Sequence, residues 1–281
     1  MKGFINVIKP SGISSAACVG AVKRIFNVPC GHMGTLDPMA AGVLPIGLYK
    51  TSRMFDYLLD KTKIYETVFR FGVATDTLDV TGNVVETVAI IPDEETVKRE
   101  IKRFIGEIEQ VPPKYSAKCI DGKRGYQLAR KGVDFELPPK KVVIDDIEYL
   151  GRKNATDFAL RIKCRGGTYI RSLARDLGVA CGSAAVMVSL DRRACGVFDY
   201  GNGVALDELK AATDPYQYVL PADCAVDFPK IELTADKMKK ILDGVFDNYG
   251  YADGVYRVYC LNEFRGIGVA NGGVLKIKAY V

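Results

Sequence analysis

The chain has 281 residues, 48% hydrophobic and 26% charged, the composition of a globular protein near the upper length for one core, which predicts a large domain plus a small one. Its net charge of +5 suits a nucleic-acid ligand without demanding one. The eight cysteines form no Cys-x-x-Cys pair and His32 is the single histidine, so neither a zinc site of usual spacing nor a histidine-based triad is expected, and catalysis would lean on carboxylates, arginines and tyrosines.

Residues Phe4 to Ile8 read as a short buried strand, followed by a turn at Lys9-Pro10-Ser11-Gly12 and an N-cap at Ser14. Val19, Val22 and Phe26 then recur at helical spacing, flanked by Cys18 and Ile25, which predicts about three helical turns. The run from Gly31 to Leu44, Gly-His-Met-Gly-Thr-Leu-Asp-Pro-Met-Ala-Ala-Gly-Val-Leu, follows. Pro38 pushes Asp37 towards extended backbone, and the glycines permit turns, so Asp37 is expected in a stiff, shaped loop.

Lys63 to Phe71 alternates, with Tyr65, Thr67, Phe69 and Phe71 on one face of a strand, and on pattern alone Tyr65 is a core aromatic. Gly72 to Gly82 reads as a loop. Pro92-Asp93-Glu94-Glu95 opens a helix whose buried stripe is Val97, Ile101 and Phe104, with acids at the positive end of its dipole. Between 114 and 131 stand Lys114, Lys118, Lys123, Arg124, Arg130 and Lys131 against only Asp121, interleaved with Tyr115 and Tyr126. That is a solvated basic face or a grip for an RNA backbone, where phosphates meet cations and splayed bases stack on rings.

A second strand carries Phe158, Leu160, Ile162 and Cys164 on one face. After Gly166-Gly167 a helix is expected, capped by Thr168, striped by Ile170, Leu173, Ala174 and Leu177, and ended by Gly178. An arginine near a helix start, as at 171, opposes the dipole and calls for a carboxylate or phosphate partner, unless it is merely on the surface. A small-residue helix is expected before Leu190, a linker from Leu220 to about Lys230, a short helix over Thr234 to Leu242, and then strands with Gly-rich turns between Gly266 and Gly273. The short apolar run at the N-terminus does not suit a signal peptide and no stretch approaches transmembrane length, so a cytoplasmic protein with reduced cysteines is expected.

Three motifs in this order resemble the TruB-type tRNA pseudouridine synthases: the His32-to-Leu44 run, Lys63-x-Tyr65, and Gly-Thr-Tyr-Ile-Arg-Ser-Leu-Ala from Gly167. Lys9 to Ser15 resembles the family's opening motif, and Leu190 to Phe198 its Leu-Arg-Arg-Thr ending, with Asp191 and Arg193 as departures. The basic segment resembles its RNA-gripping insertion, although Cys119 stands where the family usually has lysine. The resemblance implies an α+β fold: a catalytic domain over 1–225 with a mixed, mainly antiparallel sheet flanked by helices and an RNA-binding insertion near 110–140, then a small β-rich PUA-like domain over 226–281. It implies Asp37 as nucleophile, paired with Arg171 so that the acid stays ionised, and Tyr65 against the target base.

By the same resemblance His32 fills the space that a flipped base vacates, and Tyr169 and Leu190 line the uridine pocket, Leu190 being equally readable as ordinary core. Lys63, Lys123, Arg124 and Arg130 are the candidate RNA contacts. The partner implied is the T arm of tRNA, modified at position 55 by a monomer that uses no metal, no cofactor and no membrane. Two rivals stand beside it: a non-catalytic RNA-binding or RNA-folding protein on the same scaffold, and a glycoside hydrolase, which would need a second catalytic carboxylate.

Overall fold

The segment from Gly3 to Lys9, apolar but for Asn6 and Lys9, forms β1 (Gly3–Lys9), a strand covered on both faces. A computed structural model describes residues 2–58, 61–116, 119, 120, 123–125, 133, 135 and 137–281. These pack as two compact units, one of residues 1–61 with 194–281 and one of 62–193. In the first, Ser14 caps α1 (Ser15–Phe26) by accepting a hydrogen bond from the Ala17 amide. The buried face of α1 is Cys18, Ala21, Val22 and Phe26, whereas Val19 and Ile25 are half-buried. The predicted stripe is thus rotated towards Ala21. Strands β2 (Cys30–His32) and β3 (Ala41–Leu48) complete this segment. β3 pairs antiparallel with both β1 and β2, placing His32 opposite Ile46.

In the second unit β4 (Lys63–Phe71) buries Tyr65, Thr67, Phe69 and Phe71, as its alternation predicts. Of the segment read as a loop, Gly72 to Gly82, the first residues form β5 (Val73–Thr75), and the turn that follows leads into its hairpin partner β6 (Val84–Thr87). Asp93 caps α2 (Glu94–Glu100), which tightens into a 3₁₀ turn before β7 (Gly106–Gln110). Two short strands, β8 (Cys119–Ile120) and β9 (Lys123–Arg124), pair with each other. β10 (Lys140–Arg152) and β11 (Asp157–Cys164) then extend the sheet, in which β7, β10, β11 and β4 are successive antiparallel neighbours.

The helix α3 (Ile170–Ala180) buries Ile170, Leu173, Ala174 and Leu177, the predicted stripe. Two details differ from expectation. Thr168 donates to Arg165 O and does not cap, Tyr169 being the N-cap residue. Gly178 lies inside the helix, where its missing side chain lets the backbone approach Ala184 and Ala185. The predicted small-residue helix before Leu190 is a strand, β12 (Ala185–Cys195), neighbouring β4 in the sheet. An apolar run this short suits a buried strand as well as a helix, and the sheet position decides it.

The first unit resumes with β13 (Phe198–Asp199), β14 (Val204–Ala205), α4 (Leu206–Ala211) and β15 (Val219–Pro221). β14 and β15 both pair with β1. The stretch read as a linker is packed: Ala222, Ala225 and Val226 are buried in a cluster with Phe4, Met33 and Val43. The C-terminal module is a five-stranded sheet of β16 (Lys230–Leu233), β17 (Asn248–Tyr251), β18 (Gly254–Cys260), β19 (Glu263–Asn271) and β20 (Gly273–Tyr280), with α5 (Ala235–Leu242). Its core holds Ile231, Leu233, Met238, Ile241, Val258 and Leu275. Gly266 and Gly268 sit within β19 rather than in turns, and a Cβ at Gly266 would meet Ala279 O. The architecture is therefore α+β, a mainly antiparallel mixed sheet flanked by helices plus a β-rich C-terminal module.

Candidate active site

The loop that carries Asp37 belongs to the first unit and is tied down carbonyl by carbonyl. Ser15 Oγ brackets Leu36, donating to its carbonyl and accepting from its amide, both at 2.9 Å. Asp37 O accepts from Ala40 N at 3.0 Å, closing a β-turn with Pro38 at its second position, which suits the fixed φ of proline. Pro38 O accepts from Gly12 N at 2.8 Å and from Lys9 Nζ at 3.3 Å, and Met39 O from Ser11 Oγ at 2.6 Å. Each of the four carbonyls from Leu36 to Met39 thus has a donor, supplied largely by Lys9 to Ser15. The opening motif, Lys9 to Ser15, thus underlies the loop.

Lys9 is fully buried, and its ammonium also donates to Pro10 O at 2.9 Å and Ile13 O at 2.8 Å. Three carbonyls around one cation are what makes that burial tolerable. Gly34 and Gly42 bracket the loop at φ 118° and 105°, conformations that a side chain would strain. Asp37 and His32 are both half-buried. The acid therefore stands on a backbone with little freedom, as an acid that must meet one atom requires.

The second unit holds the other candidates. Tyr65, 6% exposed, lies on β4 opposite Ile162, and Lys63 is buried at the start of the same strand. Leu190 is buried on the neighbouring β12. Tyr169 is half-buried at the start of α3, and Arg171 is buried in its first turn. Lys123 and Arg124 form β9, while Arg130 lies outside the described residues.

Arg171 organises its surroundings. Nη1 donates to Thr77 O and Nη2 to Tyr115 O, both at 3.0 Å, and Nη1 lies 3.7 Å from Asp79 Oδ2. Asp79 Oδ1 in turn accepts from Thr77 Oγ1, Thr81 N and Thr81 Oγ1. The arginine thereby holds both the hairpin turn and the strap after β7. That strap is stapled to α3 again, Ser172 Oγ donating to Val111 O at 2.8 Å and Arg175 Nη2 at 3.2 Å. Sequence reasoning missed Asp79, whose signal was Asp-x-Thr with a side-chain turn. It also missed Gln110, whose side-chain amide bonds to both Tyr169 N and Tyr169 O and for which no local signal exists.

Among the described residues no three His, Cys, Asp or Glu side chains cluster as metal ligands, and no helix is long and apolar enough to cross a membrane.

The family model "TruB family pseudouridylate synthase (N terminal domain)" matches residues 23–170. Proteins named tRNA pseudouridine synthase B are similar along nearly the whole chain. That of Azoarcus sp. is 37% identical over 284 residues, covering 99% of this chain and 94% of its own. That of Aquifex aeolicus is 37% identical over 286 residues, covering 99% of both. Among solved structures, a Cbf5-Nop10-Gar1 complex contains a chain that is 26% identical with a TM-score of 0.68, covering 99% of this chain and 79% of that one. An H/ACA RNP bound to a substrate RNA contains one that shares the fold at 23% identity and a TM-score of 0.71, covering 99% and 84%. Matching the family model over more than half its length, and its relatives from end to end, the chain belongs to the TruB family of pseudouridylate synthases.

Proposed function

We propose that this chain converts uridine to pseudouridine in tRNA, at position 55 of the T loop, with Asp37 as nucleophile. The N1–C1′ bond breaks, the base turns, a C5–C1′ bond forms, and the proton on C5 leaves as N1 gains one. Nothing in that balance requires an oxidant or a metal. Arg171 pairs with Asp37, keeping it charged and directed. Tyr65 stacks on the flipped base, His32 occupies the space it leaves, and Tyr169 and Leu190 wall the pocket. Extrusion of a base costs a few kcal/mol, and stacking on one ring returns about 1–3 kcal/mol.

Residues 1–225 serve as the catalytic domain and 226–281 as a PUA-like RNA-binding module. Lys63, Lys123, Arg124 and Arg130 grip the RNA backbone. In the C-terminal module Lys276 and Lys278 line a groove of about 440 Å³ with Val269, Asn271 and Val274, a surface whose charge suits phosphates. The protein works as a monomer in the cytoplasm.

One observation carries the reading: the carbonyls from Leu36 to Met39 are all tied, which holds the Asp37 backbone at one place. The test is release of tritium from uridine C5 in a tRNA transcript. The wild-type chain should release it, a transcript with cytidine at position 55 should not, and Asp37→Asn should abolish release while tRNA affinity stays within a few-fold. Binding without release would establish the RNA-folding alternative, and free uracil would establish a hydrolase.

A further inference from the structure

Tyr169 is the N-cap residue of α3, at φ −103° and ψ 111°, yet no side chain caps this helix. N-caps are commonly Ser, Thr, Asp or Asn, whose oxygens accept from the first turn. A tyrosine there leaves its ring uncommitted to the helix but also leaves the entry unfastened. The approach makes this worse: Gly166 and Gly167 precede it, Gly167 at φ 92°, so the chain arrives through its most permissive residues.

The fastening comes from elsewhere. Gln110, 1% exposed at the end of β7, accepts from Tyr169 N at 2.8 Å through Oε1 and donates from Nε2 to Tyr169 O at 3.1 Å. Tyr169 O also accepts from Leu173 N at 3.1 Å, the first bond of the helix. Both backbone polar groups of this one residue are therefore engaged, two of the three bonds by a single amide. Among side chains in their usual ionisation state at neutral pH, only a terminal amide offers a donor and an acceptor side by side, and the amide's orientation is assigned by these two partners. The strap that follows Gln110 repeats the attachment through Val111 O and Tyr115 O, the latter receiving Arg171.

We propose that Gln110 is a positioning residue for the uridine pocket: its amide sets the place of Tyr169, and with it the start of the turn that carries Arg171. The inference rests on the reading that Tyr169 walls that pocket. Gln110 touches neither substrate nor reacting atoms in this role and acts through the backbone of Tyr169.

The experiment is single-turnover pseudouridine formation by the full chain on a tRNA transcript, with tRNA affinity and thermal midpoint measured in parallel. Gln110→Met fills the space without either bond and should slow the bound reaction by about 10- to 100-fold, as small misplacements do, with affinity within a few-fold. In a double-mutant cycle, Gln110→Met on a Tyr169→Ala background should cost clearly less than it does alone, because only its effect on the turn carrying Arg171 is left, whereas full additivity would overturn the proposal.

Gln110→Glu supplies the second readout. An ionised carboxylate only accepts and would face Tyr169 O, whereas a protonated carboxyl has the amide's own pattern of one donor and one acceptor. Its rate relative to wild type should therefore rise as the pH is lowered. A ratio flat with pH, or a lower melting midpoint with an unchanged rate per folded molecule, would overturn the proposal. If Gln110→Met does not fold, Gln110→Glu carries the test alone. A normal rate for Tyr169→Ala would instead sink the pocket reading itself, and a slow Tyr169→Ala with a normal Gln110→Met would sink only the role of Gln110.

Discussion

Arg171 and Asp79 form a buried ion pair, Nη1 standing 3.7 Å from Oδ2 with both side chains 6% exposed. Neither charge is stable alone in such surroundings, so each depends on the other and on its hydrogen bonds. Asp79→Ala should lower the unfolding free energy by about 3 kcal/mol and slow turnover about tenfold or more by letting the guanidinium shift. Asp79→Asn, which keeps the shape, should fall between. Urea midpoints and single-turnover rates check both, and variants matching wild type on each would show that Arg171 does not need this partner.

Lys9 lies at the base of the Asp37 loop with three carbonyls around its ammonium. Lys9→Met conserves the stem but removes the donor to Pro10 O and Ile13 O and one of the two donors to Pro38 O, at about 1–3 kcal/mol for a buried group left unsatisfied. The expected outcome is lower stability together with slower turnover at unchanged tRNA affinity, read from thermal melts and filter binding. Lost stability with a normal rate per folded molecule would mean that the loop keeps its shape without the cation.

Gly178 tests packing against propensity. In an exposed helix, Gly→Ala would gain about 1 kcal/mol. Here the added methyl would collide with the backbone at Ala184 and Ala185, and overpacking typically costs about 1–3 kcal/mol. Gly178→Ala should therefore destabilise the chain, and a rise in the urea midpoint would contradict the packing described.

Asp157 gives a pH dependence. Its bidentate bonds from Arg70, at 2.7 and 2.8 Å, hold its carboxyl below the usual carboxylate range. A depressed folded-state value means that this stability is fully present above the unfolded value and is lost as pH falls through it towards the folded one. The window lies below the ordinary value of 3.8. Melting midpoints of wild type and Asp157→Asn should differ most above pH ~4 and converge in stronger acid; a gap that persisted there would refute the linkage.

Local chemistry made much of the fold legible. Alternation placed Tyr65, Thr67, Phe69 and Phe71 on one buried face of β4, Ser14 announced its helix as a cap, and the acids Asp93 to Glu95 announced theirs at the positive end of its dipole. Those signals act over a few residues, so a reader of the chain finds them. The β5–β6 hairpin and the strand character of Ala185–Cys195 were missed because each depends on a partner distant in sequence. Thr168 seemed the natural cap for α3, but its hydroxyl turned back to Arg165 O.

The candidate site divides along the same line. By itself the sequence determined a stiff loop around Asp37, since proline and glycine constrain backbone wherever they stand, and its motifs marked the family. Tertiary structure alone decided what secures those residues. It set Lys9 and Ser15 beneath the loop, Gln110 across from Tyr169 and Asp79 beside Arg171. A hydrogen bond between residues 59 positions apart, such as that of Gln110 with Tyr169, has no periodicity to reveal it; only the folded sheet brings the two together.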